Sequence, residues 1–298
     1  MTQIMIRDTV PRRELLDSGH LACPGCGAPL AMRMVLKELG EKTIVVLPAC
    51  CWSIIAGPYP QSSLHVPLYH TAFATGAAVA SGVRAALVAR GDTDTNVMVW
   101  AGDGGTFDIG LQALSGAAER NEDFIYVCYD NEAYMNTGIQ RSSATPWGAW
   151  TTTTPAMQPQ STRKKDILAI MAAHRIPYAA TASISHPTDL LAKVRRAMTM
   201  RGTRFLHILS PCPPGWKYSD ERTIELGRMA VRNRVFPLLE VENGVDWRFT
   251  ADHPGDPIDE YVRAQGRFRH MDDQAIQHAQ ADVDARWAWL CRQVGEAG

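Results

Sequence analysis

Two sets of possible metal ligands stand out in this sequence, and they are chemically unlike. The first is soft: Cys23 and Cys26 in HLACPGCGAPL, the adjacent pair Cys50-Cys51, and Cys212 alone in SPCPPGW. The second is hard: Asp103 in VWAGDGGTFDIG and Asn131 in YVCYDNEAYMNTGIQRS. Thiolates select soft or borderline metals. A carboxylate, an amide oxygen and a main-chain carbonyl suit Mg2+, which prefers six oxygens and takes several of them from phosphate and water. A C-x-x-C pair alone serves equally as a zinc knuckle, a redox dithiol or two buried small residues. Zinc would call for a second close pair of cysteines or histidines. One close pair plus two distant cysteines at predicted strand ends suits instead the scattered thiolates of a 4Fe-4S cubane.

The hard set is embedded in glycine. Gly102, Gly104 and Gly105 let the backbone come close to a phosphate, and the helix that follows offers free N–H groups and a favourable dipole. A dinucleotide fingerprint, G-x-G-x-x-G, fails because Phe107 occupies the third glycine position, and no phosphate loop of the G-x-x-x-x-G-K-[ST] type exists. Taken singly, Asp-Gly is a common turn and Asn a common cap. Their joint occurrence at two strand ends, one helix and one strand apart, points to a shared ligand.

The elements that must position these residues follow from the apolar pattern. TIVVLPAC, NVMVWAG, DFIYVCYDN and RFLHILSPC read as short strands buried on both faces. APLAMRMVLKELG, the Ala-rich stretch from Thr71 to Arg90, FDIGLQALSGAAER, DILAIMAAHR and HPTDLLAKVRRAMTM have helical spacing between them. Strand and helix in turn imply an α/β fold with a doubly wound, mostly parallel sheet, in which ligands bind at the carboxyl ends of the strands. The stretch from Asn131 to Lys165, rich in Thr, Pro and Trp, is too long for a simple connection and reads as a functional loop. After Cys212 the character changes: RTIELGRMAVRNR and the segment from Met271 to Val294 read as helices flanking FPLLEVENG, an added strand. Residues 1–215 are expected to form the cofactor domain and 216–298 a C-terminal helical extension.

Composition narrows the class. Apolar residues make up 46% and charged residues 20% of 298, and the formal charge is -1. That balance gives no reason to expect nucleic acid or an anionic membrane as partner. MTQIMIRDTVPRREL is broken by charge and proline before a signal-type apolar core can form, so a cytoplasmic location is expected. Seven cysteines, an odd number in a reducing compartment, argue against a disulfide framework.

CPGCGAPLAMRMVLKELG, CCWSIIAGPYP, AGDGGTFDIGLQAL, DNEAYMNTGIQRSSATPWGAWTTTTP, SPCPPGW and YVRAQGRFRHM together resemble the thiamine diphosphate (TPP)-binding beta subunit of the pyruvate:ferredoxin oxidoreductase family, over nearly the whole chain. The resemblance implies a thiamine diphosphate-binding fold of the diphosphate (PP) type. It implies that Cys23, Cys26 and Cys212 hold a 4Fe-4S cluster with a fourth cysteine that the family places seven residues before its PYP proline; counting back from Pro58 gives Cys51 and leaves Cys50 a neighbour. By the same resemblance Asp103, Asn131 and the Ala133 carbonyl bind Mg2+, and Gly102, Asp103, Gly104 and Gly105 cradle the diphosphate. Gly27 and Ala28 approach the cofactor, Asn136 faces the thiazolium and substrate, and Thr137 and His70 are further candidates there.

The implied reaction is oxidative decarboxylation of a 2-oxoacid to an acyl-coenzyme A and CO2, with electrons passed to the cluster. An alpha subunit would supply the pyrimidine-side domain and its activating Glu, a ferredoxin-like subunit would carry electrons onward, and a gamma subunit would complete the assembly. The Ala-rich helix and the Thr/Trp loop are the expected contacts with the pyrimidine-side partner. Trp52-Ser53 and Phe73-Ala74-Thr75 depart from the family's usual Leu-Glu and Phe-Glu-Asn, which favours a 2-oxoacid bulkier than pyruvate, phenylglyoxylate among them, unless Trp52 is core. A non-oxidative thiamine enzyme would not need the four cysteines, and a zinc-stabilised binding module would not need the oxygen ligands.

Overall fold

The computed structural model describes residues 10–295, so the opening MTQIMIRDT lies outside it. An eight-stranded sheet organises the chain, in the order β2-β1-β3-β4-β6-β5-β7-β8. Its strands are β1 (Thr43–Pro48), β2 (Leu68–Thr71), β3 (Asn96–Gly102), β4 (Phe124–Asp130), β5 (Tyr178–Ser183), β6 (Thr203–Leu209), β7 (Leu239–Glu242) and β8 (Asp246–Phe249). The first six are parallel, whereas β7 runs antiparallel to β5 and pairs with β8 in a hairpin. The expected helical extension therefore also lengthens the sheet.

Alternation along the central strands sends side chains to two cores. Met98, Trp100, Ile125, Val127 and Tyr129 face the side covered by α1 (Gly27–Leu39), while Val97, Val99, Ala101, Phe124, Tyr126 and Cys128 face the other side. Every residue of β4 and β6 is buried, as parallel strands covered on both faces require. β1 has β2 on one side and β3 on the other, so the chain reverses its direction of winding there. That reversal opens a crevice at the carboxyl ends of β1 and β3.

The Ala-rich helix α2 (Gly76–Ala89) packs only one side on the sheet: Gly76, Ala77, Ala80 and Arg84 are buried, and Val88 is exposed. Ala and Gly read alike whether they face a sheet or an open surface. The helix expected after Gly105 begins as a π-helical turn, Gly104–Asp108, before α3 (Leu111–Glu119), and such turns recur at functional sites. The 131–165 loop holds no regular helix or strand.

Candidate active site

β3 delivers Asp103 and β4 delivers Asn131 to the same edge, because the two strands pair in register, Gly102 beside Tyr129. The Asn131 side-chain oxygen lies 3.0 Å from Asp103 Oδ1 and 3.0 Å from the Ala133 carbonyl oxygen. Three acceptors facing one another repel unless a donor or a cation joins them. Turning the amide over supplies such donors without a cation, joining Asp103, 1% exposed, to the loop. Burial, then the neighbouring Asp130 carboxylate, pushes the Asp103 carboxyl well above the usual range. An octahedral ion with bonds of about 2.1 Å places adjacent oxygens roughly 3.0 Å apart. The Asn131 oxygen stands at that spacing from each of the other two, and the donor set is the hard one Mg2+ selects.

The loop bearing the triad is fixed from behind. Glu132 adopts φ 67°, a left-handed conformation costly for a non-glycine residue. Its N–H donates to Asp130 Oδ1 at 2.9 Å, and its carboxylate accepts from Arg267 at 2.6 Å and Lys164 at 2.8 Å. Trp216 Nε1 donates to the Asn131 carbonyl at 2.8 Å. Lys164 also binds Asp130, at 2.5 Å, beside His207 at 2.7 Å. On the front side Ser142 Oγ donates to Asp103 Oδ2 at 2.5 Å, which orients the carboxylate. Ser142, Lys164, Trp216 and Arg267 carried no sequence signal as site residues; each reaches the loop only through the tertiary fold.

The glycines divide by cause. A side chain at Gly104 would come within 2.4 Å of the Tyr134 ring, so internal packing demands glycine there. Gly102 and Gly105 have no such pressure: a Cβ would meet nothing closer than 3.5 Å and 3.8 Å, and neither has a positive φ. The space beside them is the cradle a diphosphate would occupy. They line a cleft of about 100 Å3 together with Asp103, Asn131, Ala133, Asn136 and Thr137. Phe73 stacks on Tyr134 at 5.7 Å on its wall.

Other expected residues lie elsewhere. Gly27 and Ala28 open α1 outside the cleft lining, with Gly27 N–H on the Pro211 carbonyl at 3.2 Å. His70 is exposed on the edge strand β2. Trp52, 0% exposed, packs edge-on to Trp100 in the core and forms no wall of the cleft. The argument from Trp52 for a bulky substrate therefore falls.

All seven cysteines are free thiols. Burial, then neighbouring thiols Cys50, Cys212 and Cys26, pushes Cys51 up, and burial likewise pushes Cys26 to about 11 and Cys212 to about 12, each against other members of the same group. Cys23 and Cys26 are joined by a tight turn, Cys26 N–H to the Cys23 carbonyl at 3.1 Å. Cys23, Cys26, Cys51 and Cys212 thus share one neighbourhood. Cys50 and Cys51 both line the cleft and both meet Tyr129, but Cys50 turns toward the Gly102 backbone whereas Cys51 faces Cys26 and Cys212. Among the described residues no three Cys, His, Asp or Glu side chains gather on a single-ion site. A cubane does not ask that of them, because each thiolate binds a different iron.

Residues 50–208 match the family described as thiamine pyrophosphate enzyme, C-terminal TPP binding domain. Ketoisovalerate oxidoreductase subunit VorB of Pyrococcus horikoshii is 49% identical over 299 residues, spanning 97% of this chain and 96% of that protein. Pyruvate synthase subunit PorB of Methanothermobacter thermautotrophicus is 49% identical over 280 residues, spanning 93% and 97%. This chain belongs to the beta subunits of the 2-oxoacid:ferredoxin oxidoreductases. The beta-subunit fold is shared with the 2-oxoglutarate:ferredoxin oxidoreductase from Magnetococcus marinus, solved with 2-oxoglutarate, coenzyme A and succinyl-CoA bound: TM-score 0.59, 25% identity, 74% of this chain and 80% of that one. Neither a zinc-stabilised module nor a non-oxidative thiamine enzyme is favoured for a beta subunit of this family. Within it, the matched domain holds the oxygen triad and Cys51 but leaves Cys23, Cys26 and Cys212 outside. The thiol set is an addition to the thiamine fold.

Proposed function

We propose that the chain is the beta subunit of a complex that decarboxylates a small aliphatic 2-oxoacid, pyruvate-like or branched, and oxidises it to an acyl-coenzyme A. The observation that carries this reading is the oxygen triad at 3.0 Å spacing beside two glycines that internal packing does not require. Asp103, Asn131 and the Ala133 carbonyl would hold Mg2+, and Gly102 to Gly105 the diphosphate. Thiamine diphosphate, when bound, supplies carbanion stabilisation at the carbon that loses CO2. Asn136 and Thr137 lie on the exposed wall of the cleft, where they can orient a substrate oxygen. Cys23, Cys26, Cys51 and Cys212 would hold a 4Fe-4S cluster adjoining that cleft, which Cys51 itself lines.

The site as described has one wall. Its missing half fits an alpha subunit carrying the pyrimidine-side domain and activating Glu, with a ferredoxin-like subunit as electron acceptor and a gamma subunit in the assembly. Exposed apolar side chains support such docking: Tyr59 is 98% and Tyr69 55% exposed, and Ile54 and Val88 are exposed as well. In this reading His70 serves the interface. Among the described residues no helix is long and apolar enough to cross a membrane. The test is turnover of pyruvate, branched 2-oxoacids and phenylglyoxylate by the anaerobic native complex with coenzyme A and a dye acceptor. Coenzyme A-independent aldehyde formation, or a colourless preparation without iron, would overturn the proposal.

A further inference from the structure

Glu132 lies between two spaces. Its neighbours Asn131 and Ala133 line the cofactor cleft, while Glu132 itself, with Lys164 and His207, forms the floor of a second cavity of about 470 Å3. The far wall of that cavity is the C-terminal helix, Asp273–Val294, in which only Ile276, Leu290 and Cys291 are buried. Ile276, Ala279, Val283, Arg286 and Leu290 recur at helical spacing and form its inward stripe. The ends of the stripe seat in the core. Its middle carries a methyl, a short branched chain and a guanidinium, and there the cavity opens. The opposite wall is apolar, built by Phe236, Val262, Phe268 and Met271.

Two features describe what would fill this space. Its volume falls in the range of small-molecule sites, roughly 300–1,000 Å3, and its apolar walls offer water few partners. Its charges are unbalanced: Arg163, Lys164, Lys165, Arg234 and Arg286 line it against only Glu132, Asp166 and Asp282. Most of these cations are well paired, Arg163 with Asp282 at 2.6 Å and Lys164 with Asp130 and Glu132. Arg286 makes only long contacts, 3.5 Å to Asp166 and 3.4 Å to the Val235 carbonyl. A guanidinium with five donors and two marginal partners is suited to a bidentate carboxylate. We propose that this cavity is a second ligand site, taking a monocarboxylate with an apolar body, the carboxylate on Arg286 and the body against Phe236 and Val262. Because Glu132 and His207 form its floor and also fix the loop of the oxygen triad, occupancy there and cofactor retention are linked, each strengthening the other.

The experiment uses the native complex with all subunits and octanoate as the probe. Calorimetry should show saturable binding, with 1-octanol, which lacks the anion, binding more weakly. Arg286→Gln should weaken octanoate about tenfold or more, the scale of a lost charge-assisted pair, and Arg286→Lys should recover part of it. Val283→Trp should abolish binding by filling the space. All three variants should keep the wild-type melting temperature and turnover at saturating 2-oxoacid. In wild type, octanoate should slow thiamine diphosphate dissociation. Absence of binding to the complex, equal affinity in all variants, or displacement of octanoate by the 2-oxoacid substrate would overturn the proposal.

Discussion

The two faces of the loop from Asn131 to Ala133 treat buried charge in opposite ways. Behind the loop, Asp130 and Glu132 meet Lys164, Arg267 and His207 at 2.5–2.8 Å, so both carboxylates are answered by protein groups. In front, Asp103 is equally buried but is offered a serine hydroxyl and the Asn131 amide. Desolvating an ion is expensive unless a partner compensates it. A buried charge balanced within the chain is architecture; one left unbalanced marks where a cation from outside belongs. The contrast also explains the position of the ionic network, which holds Glu132 in its left-handed conformation and so aims its neighbours' oxygens forward.

The sharpest way to break this comparison is to unbalance the rear. Lys164→Met leaves two buried carboxylates short of a cation and should cost about 3–5 kcal/mol of stability, read from urea unfolding of the cofactor-free chain. A cost under about 1 kcal/mol would mean the network is not what fixes the loop. The front should answer with the other sign. Asp103→Ala removes a charge the cofactor-free fold does not compensate, so unfolding of that chain should be unchanged or shifted to higher urea. Thiamine diphosphate retention by the complex should meanwhile fall at least about 100-fold, the upper scale for disturbing a metal's supporting groups. Undiminished retention would sink the oxygen-triad reading.

The thiols repeat the contrast on a smaller scale. Both thiols meet Tyr129, but Cys51 also shares its surroundings with Cys26 and Cys212, whereas Cys50 turns toward the Gly102 backbone. Cys51→Ser should therefore remove most of the iron and the reduced-state EPR signal, and Cys50→Ser should leave both largely in place. Iron loss confined to the Cys50 variant would reverse the assignment.

Much of this was legible in sequence because the chemistry left little choice of residue. A hard cation wants Asp103 and Asn131, close backbone approach wants glycine, and strands covered on both faces want the Val and Ile of β1, β3 and β6. β5, Tyr178–Ser183, was illegible because YAATAS is small and polar although every residue in it is buried. Lys164, Arg267 and Trp216 were illegible for a different reason. They lie 32, 135 and 85 residues from their partners in the 131–132 loop, so no local pattern joins them. Ser142, 39 residues from Asp103, is one hydroxyl in a polar loop. Trp52 was open between core and substrate wall because it adjoins Cys51 in sequence, and α-helical geometry over Trp52–Ile55 turns its ring into the core.

The comparison has a third term, a group the fold keeps uncharged, and it gives the smallest of these effects. His253 in the C-terminal extension accepts the Leu238 N–H through Nε2 at 2.8 Å and packs against Phe249 and Trp287, each 5.3 Å away. Accepting that bond requires the neutral ring. Burial, then the positive Lys193 nearby, lowers its pKa from 6.5 to about 4. The unfolded chain therefore binds a proton at pH values where the folded one does not. Stability contributed by the neutral ring is fully present above 6.5 and is lost progressively as the pH falls toward 4. Intrinsic exchange slows as the pH falls, so the expected sign is lost protection: exchange at Leu238 and Leu239 should slow less than the intrinsic rate between pH 7 and pH 5, while the amides of Glu132 and Ala133, held by groups already charged, should follow the intrinsic rate. His253→Asn keeps an acceptor but cannot titrate, and it should abolish the pH dependence at Leu238 without touching the 131–133 loop. If the loop loosens in step with Leu238 in wild type, the two regions share one opening unit and the division between balanced, unbalanced and avoided charge does not map onto separable parts of the fold.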